Sequence, residues 1–200
     1  MPAAAALLKA VAKEAATCTL CPLYRDATQT VFGEGPARAT IMMVGEQPGD
    51  QEDLAGHPFV GPAGKLLDRA MAEAGLDRKK AYLTNAVKHF KNEPRGKKRL
   101  HKRPNRYEVE VCRVWLRQEI DIVRPQLILA LGVTAAVALA SRPVVLSRER
   151  GKVIELADGQ RGMVTVHPSS ILRIPDQAAR HAAFAALVKD LKAAVQRAAA

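Results

Sequence analysis

The sequence predicts a three-layer α/β/α sandwich around a central, mostly parallel, four-stranded sheet, and two patterns carry that expectation. Short apolar runs alternate along the chain with longer segments of helical period, the order expected when parallel strands are joined by crossover helices. The runs also break off at polar residues or glycine, with Glu46, Asn85, Gly132 and His167 at their carboxyl ends. In sheets of this kind a site forms at those ends, so polar residues distant in sequence are expected on one rim. The length of 200 residues suffices for one domain, 1–200, that buries its core without disulfide staples.

Residues 1–16 are alanine-rich, are interrupted by Lys9, Lys13 and Glu14, and read as a helix, because a leader would have an unbroken apolar run. Cys18-Thr-Leu-Cys21-Pro22 follows as a tight turn, and the polar stretch to Gly33-Glu-Gly-Pro36 as loop. Ala39 to Val44 is the first strand, a short run apolar except for Thr40 and suited to burial on both faces, and it stops at Gly45-Glu46-Gln47-Pro48-Gly49-Asp50. A long loop from Asp50 to Gly61 leads to a helix over 62–74, with Leu66, Leu67, Ala70, Met71 and Ala74 on one stripe and Gly75 as its stop. Ala81 to Val87 is the second strand. A basic loop, Gly96 to Pro104, precedes a long helix that ends near Arg124, with Asn105 and Glu108 at capping-box spacing. Gln126 to Leu131 is the third strand, Val133 to Ala140 a helix of small residues, Lys152 to Leu156 an irregular or edge strand, and Gly162 to Val166 the fourth core strand. An amphipathic helix from Asp176 closes the chain.

Lys and Arg number 31 against 20 Asp and Glu, a net charge of +11. Nine of the cations fall between Lys88 and Arg106 against one acid, Glu93, so this segment alone carries +8. Charge clustered in this way is the footprint of a protein that meets a polyanion, with nucleic acid the leading partner and an anionic membrane surface the second. No stretch reaches the roughly 18 apolar residues of a membrane span. Three cysteines argue for a reducing, cytoplasmic location and for metal binding or reactivity over disulfides. No dimer signature is visible, and a monomer is expected.

Several residues have the chemistry of a site. The turn at 45–50 presents Glu46 and Asp50 from a rigid base, where a carboxylate can activate a nucleophile or stabilise a cation; it also reads as an ordinary loop with solvated acids. Phe59, in a glycine-rich loop, is either a stacking platform for a base or a core plug. His101, amid the lysines of the basic loop, reads alone as a solvated surface histidine or as a nucleophile brought to DNA. His57 and His181 read as structural or surface residues, and Trp115 as core.

Taken together, Gly-Glu-Gln-Pro-Gly at 45–49, Pro-Phe-Val-Gly-Pro-Ala-Gly at 58–64, Thr-Asn-Ala-Val-Lys at 84–88 and His-Pro-Ser-Ser at 167–170 resemble the uracil-DNA glycosylase superfamily. The nearest likeness is to its family 4, iron–sulfur branch. Two departures, Gln47 in place of the usual alanine and the inserted Lys-Lys-Arg-Leu-His at 97–101, resemble the UdgX group, which captures uracil-containing DNA covalently. The resemblance runs from Cys18 to Arg173.

It implies that Asn85 reads the uracil edge, that Phe59 stacks on the base, and that His167 stabilises the charge developing on it. His101 would attack C1′, with Glu46 orienting the imidazole and stabilising its positive charge. Gln47, beside the uracil, and Asp50 would support Glu46 and the loop, and Arg99 would hold the loop closed. Lys97, Lys98, Lys102 and Arg103 would contact phosphates. Ser169, Ser170 and Ile171 to Arg173 resemble the superfamily's DNA-probing loop, in which Leu172 or Ile171 fills the space of the flipped base. The branch has a further cysteine directly after its Thr-Asn-x-x-Lys strand, and His89 holds that place here. Cys18, Cys21, His89 and Cys112 are therefore the implied ligands of a [4Fe–4S] cluster, with Cys₃His zinc the physical rival. Single-stranded substrate is expected, since flipping a nucleotide out of a duplex costs more. The alternatives are a turnover glycosylase in which His101 merely contacts DNA, and a metal-stabilised DNA-binding protein without catalysis.

Overall fold

The computed structural model describes residues 3–199. The chain runs α1 (Ala4–Ala15), β1 (Ile41–Gly45), α2 (Asp50–Ala55), α3 (Pro62–Glu73), β2 (Ala81–Asn85), β3 (Asn92–Arg95) and β4 (Lys98–His101). It continues through α4 (Arg106–Val123), β5 (Leu127–Leu131), α5 (Val133–Ala140), α6 (Leu146–Glu149), β6 (Val153–Glu155), β7 (Arg161–Thr165), α7 (Pro168–Leu172) and α8 (Gln177–Ala198). The main sheet has the order β2-β1-β5-β7-β6. Its first four strands are parallel, as expected, and β6 adds a short antiparallel edge.

Alternation along each strand divides the core into two layers, because successive side chains point to opposite faces. Met42 and Val44 of β1 pack with Ile128 and Ala130 against Leu116, Ile120 and the small residues of α5. Ile41 and Met43 pack with Leu127 and Leu129 against Leu67 and Met71 of α3 and Leu187 and Leu191 of α8. Truncating a fully buried leucine such as Leu129 to alanine costs about 2–5 kcal/mol. Among the described residues no helix is long and apolar enough to cross a membrane.

The sequence expectations for the core elements hold to within a few residues, including the capping box of α4. There Asn105 Oδ1 accepts from Glu108 N at 2.9 Å and Glu108 Oε2 accepts from Asn105 N at 2.7 Å. Two expectations are corrected. The stretch read as a long loop after Asp50 contains α2, a helix stopped by Gly56 at φ 75°. The basic loop is a hairpin, β3–β4, which turns at Gly96 with φ 59° and forms a two-stranded sheet of its own.

After β1 the chain places β2 on one side of it and β5 and β7 on the other. The crevice between the ends of β1 and β5 is thus a topological switch point, the place where open α/β sheets hold ligands.

Candidate active site and thiol cluster

The strand ends converge on a cavity of about 700 Å³ whose wall includes Glu46, Asn85, Gly132 and His167. Register explains the convergence: Gly45 pairs with Asn85 across β1 and β2, and Leu131 with Thr165 across β5 and β7. Position 45 has no room for a side chain, because a Cβ there would overlap Asn85 Oδ1 and the Phe59 ring. Phe59 itself adopts φ 57°, a left-handed conformation that costs a bulky residue on the order of 1–3 kcal/mol and is held by its surroundings. Its ring stacks on His167, with centroids 6.3 Å apart and planes 28° from parallel.

His167 Nδ1 accepts from the Ser169 backbone N–H at 3.2 Å and lies 2.8 Å from Ser169 Oγ. A ring nitrogen that accepts a backbone N–H bears no proton, so the neutral imidazole carries its hydrogen on Nε2. Burial pushes the His167 pKa down to about 4, and Arg173 and, when it is protonated, His101 add to the shift. The ring is therefore an uncharged donor at neutral pH.

His101 comes from the hairpin. It is the last residue of β4, and its Nε2 lies 3.6 Å from Glu46 Oε1. Burial lowers its pKa, Glu46 opposes the shift, and Arg173 adds to it. The other carboxylate oxygen of Glu46 accepts from Thr134 Oγ1 and lies 3.6 Å from Arg103 Nε. Arg103 Nε also donates to Thr134 Oγ1 at 3.1 Å.

Side chains from the strand ends fasten the hairpin. Gln47 Nε2 donates to Lys91 O at 3.2 Å and Lys102 O at 3.1 Å, while its Oε1 accepts from Lys91 N at 3.2 Å. Both amide hydrogens of Gln47 are thus committed to the residues that flank the two strands at the base of the hairpin. Arg99 bonds Asp50 at 2.7 Å and the buried Asp53 at 2.6 Å, which ties the hairpin to α2. Beneath both lies Phe90, buried, with the Arg99 guanidinium 5.4 Å and the His101 ring 6.1 Å from its centroid.

The basic segment is less uniform than its composition. Lys88 is fully buried and pairs with the equally buried Glu119 at 2.5 Å, so its charge does not belong to the protein surface. Lys102 pairs with Glu93, and Lys91 with Glu108 at 2.9 Å. Among the described residues Arg95, Lys97, Lys98 and Arg106 face no acidic partner. The probing segment is the short helix α7, in which Ile171 is 1% exposed and packed in the core. It is therefore no wedge, whereas Leu172 is 41% exposed and Arg173 lines the cavity. Ser170 Oγ donates to His167 O at 2.7 Å and helps to hold the turn.

Cys18, Cys21 and Cys112 meet in one hydrophobic cluster with Val11, Ala15 and Trp115, between α1 and α4. Trp115 Nε1 donates to Cys18 Sγ and Lys88 N to Cys112 Sγ, each at 3.2 Å. Burial pushes the Cys112 thiol up to about 12 and also raises Cys21, with the neighbouring sulfurs adding to both shifts. Such thiols become thiolates when a cation compensates them. His89 Nε2 lies 2.9 Å from Thr30 Oγ1, whose hydrogen goes to Ala15 O at 2.9 Å. Nε2 is then the donor, and Nδ1 keeps its lone pair, the arrangement of a ligating histidine. Among the described residues no group of three His, Cys, Asp or Glu side chains is arranged to hold a single metal ion. By donor chemistry the four residues suit a thiolate-bound cluster, since three are soft sulfur donors and the fourth is an oriented neutral imidazole.

Sequence reading did not single out Thr134, Phe90 or Glu52. Glu52 is a buried carboxylate on the cavity wall that accepts from Gly61 N at 2.7 Å and Gly49 N at 3.1 Å. Its capping-box position after Gly49 was the available signal.

The family model described as the uracil DNA glycosylase superfamily matches residues 32–192. The chain is 36% identical over 168 residues to the type-4 uracil-DNA glycosylase of Thermotoga maritima, an overlap that covers 84% of each. To the type-4 enzyme of Pyrobaculum aerophilum it is 39% identical over 165 residues, covering 79% of this chain and 81% of the relative. A type-5 uracil-DNA glycosylase of the same organism is 30% identical over 175 residues, with 76% and 74% covered.

Proposed function

The chain belongs to the uracil DNA glycosylase superfamily, and on that footing we propose that it excises uracil from DNA and keeps the abasic site as a covalent adduct on His101. The observation that carries the second half is the His101 imidazole on the cavity wall, 3.6 Å from the Glu46 carboxylate.

A flipped deoxyuridine enters between Phe59, which stacks on the base, and Asn85, which reads its edge. The C1′–N1 bond breaks with its electron pair going to the uracil. His167 Nε2–H donates to the charge that develops on the base, and a neutral donor suits this role because it adds no cation to be desolvated. The sugar is left as an oxocarbenium-like cation. The lone pair of a neutral His101 nitrogen forms the new bond to C1′, and the resulting imidazolium is stabilised by Glu46. Uracil leaves as its anion and takes a proton from solvent. The half-exposed hairpin brings the cation-rich face, with Lys97, Lys98, Lys102, Arg103 and Arg173, to the phosphates. Flipping from a single strand costs less than from a duplex, so single-stranded substrate is preferred. Leu172 fills the space of the departed base.

Cys18, Cys21, Cys112 and His89 would hold a [4Fe–4S] cluster, which supplies a structural brace between α1, the end of β2 and α4. Iron and sulfide in stoichiometric amount support this assignment, and stoichiometric zinc in a colourless protein overturns it. Three free thiols suit a reducing compartment.

Labelled uracil-containing single-stranded DNA is mixed with the protein and run on a denaturing gel while free uracil is assayed. A heat-stable shifted band with stoichiometric uracil is expected. Uracil in excess of protein without a band would leave a turnover glycosylase, and neither signal would leave binding alone. His101→Ser is expected to abolish the band and to admit water, so that free abasic DNA accumulates; an adduct surviving in this variant overturns the role of His101.

A further inference from the structure

The Glu46 carboxylate must do two things in the capture reading: face the imidazole and stay in place while positive charge builds on it. A glutamate has three rotatable bonds, and nothing within the side chain itself holds them. The structure supplies a holder from across the crevice. Glu46 follows β1, and Thr134 stands in the first turn of α5, directly after β5. The bond between their side chains spans the switch point of the sheet.

Its direction is fixed by chemistry. Arg103 Nε has only a hydrogen to give, and it gives it to Thr134 Oγ1 at 3.1 Å. The single hydroxyl hydrogen of Thr134 is thereby left for Glu46 Oε2. With Oε2 engaged, Oε1 is the oxygen that faces His101 Nε2, at 3.6 Å. The hydroxyl is itself well placed, since Thr134 is buried and its backbone belongs to a helix packed on the sheet.

We infer that Thr134 is a positioning residue, which aims Glu46 at His101 and so sets how the cationic sugar divides between capture and water. The inference rests on the capture reading for its first readout. Thr134→Val removes the hydroxyl at nearly constant shape, and Thr134→Ser restores it. A carboxylate freed to swing away is expected to lower the ratio of captured DNA to released uracil by roughly tenfold or more, since misplacement by about 1 Å costs on the order of a hundredfold. Thr134→Ser is expected to return the ratio to near that of the parent protein.

The experiment follows adduct on denaturing gels and free uracil in the same samples, with melting temperature as a control. An unchanged ratio in Thr134→Val overturns the inference. So does a parallel fall of adduct and uracil together with the melting temperature, because a merely structural role moves both in step. If the parent protein turns over and forms no adduct, the capture reading fails on its own, and the same variants are read in uracil release. Glu46 would then orient water, and Thr134→Val should lower kcat at constant KM with rescue by serine; an unaltered kcat there also overturns the role of Thr134.

Discussion

Glu46, Asn85 and His167 stand at the ends of parallel strands in the main sheet, whereas His101 stands on a ribbon that is a sheet of its own. The first set inherits rigidity from the backbone ladder. Ala86 N donates to Gly45 O at 2.9 Å and Val87 N to Glu46 O at 3.0 Å, so β1 and β2 remain stitched beyond their last paired residues. The hairpin has few such ties. A lone two-stranded ribbon is marginal in water, and this one is fastened by side chains: the Gln47 amide, the Arg99 ion pairs and the Phe90 ring below. In the proposed reading, the part of the pocket that would read the base is thus built into the fold, and the part that would capture the sugar is attached to it. Loss of the first should remove everything, and loosening of the second should remove capture preferentially.

The strongest way to test the built-in half is through Lys88. Its Nζ donates to Thr84 Oγ1 and to Asn85 O, both at 2.7 Å, and pairs with Glu119, which in turn accepts from Gly33 N at 2.8 Å and Tyr82 OH at 3.1 Å. Lys88→Ala leaves the Glu119 carboxylate buried without its cation, a change expected to cost about 3–5 kcal/mol. Chemical denaturation should register that loss, and uracil release and capture should fall together. Survival of capture in this variant would show that the two halves are not ordered as described.

A smaller effect, confined to the attached half, is expected from Gln47→Ala. The variant removes three bonds to Lys91 and Lys102 and lets the hairpin base open, so His101 loses its register with Glu46. Capture should drop by roughly ten- to a hundredfold, with uracil release falling less. Equal losses in both would mean that the hairpin is as integral as the sheet.

The contrast between the halves also explains what the sequence did and did not disclose. The four parallel strands announce themselves as apolar runs that stop at polar residues, and their common direction alone puts Glu46, Asn85 and His167 on one rim. The hairpin gave no such signal. Its strands, Asn-Glu-Pro-Arg and Lys-Arg-Leu-His, have no apolar face because they bury almost nothing, so composition reads as loop. Lys88 looked like one more cation of a basic segment, since its partner Glu119 lies 31 residues away on α4. Thr134 sits in a run of small apolar residues whose pattern speaks of packing, and only the meeting of β1 and β5 turns its hydroxyl toward Glu46. Likeness to a family singles out His101, and the structure reveals the ribbon that carries it.

The least disruptive way to separate the halves is pH, because it alters no contact by substitution. In the proposed reading, capture needs an uncharged His101, whose lone pair would make the bond. Burial favours the neutral form and outweighs the opposing pull of Glu46, so the imidazole protonates below its ordinary value of about 6.5. His167 is buried beside Arg173 and, once it is protonated, a positive His101, has no carboxylate opposing the shift, and stays neutral down to about 4. As pH falls below about 6.5, His101 gains its proton first and His167 keeps its neutral donor. Adduct formation should therefore be level from pH 8 to neutrality and decline with acid by up to about tenfold per unit once His101 is mostly protonated. Uracil release should persist to more acid pH, so the share of released uracil that is not matched by adduct should grow in that window. Single-turnover rates for both products across pH 4.5 to 8 would measure it, and superimposable profiles would mean that one ionisation governs both steps and that the halves of the pocket act as a single unit.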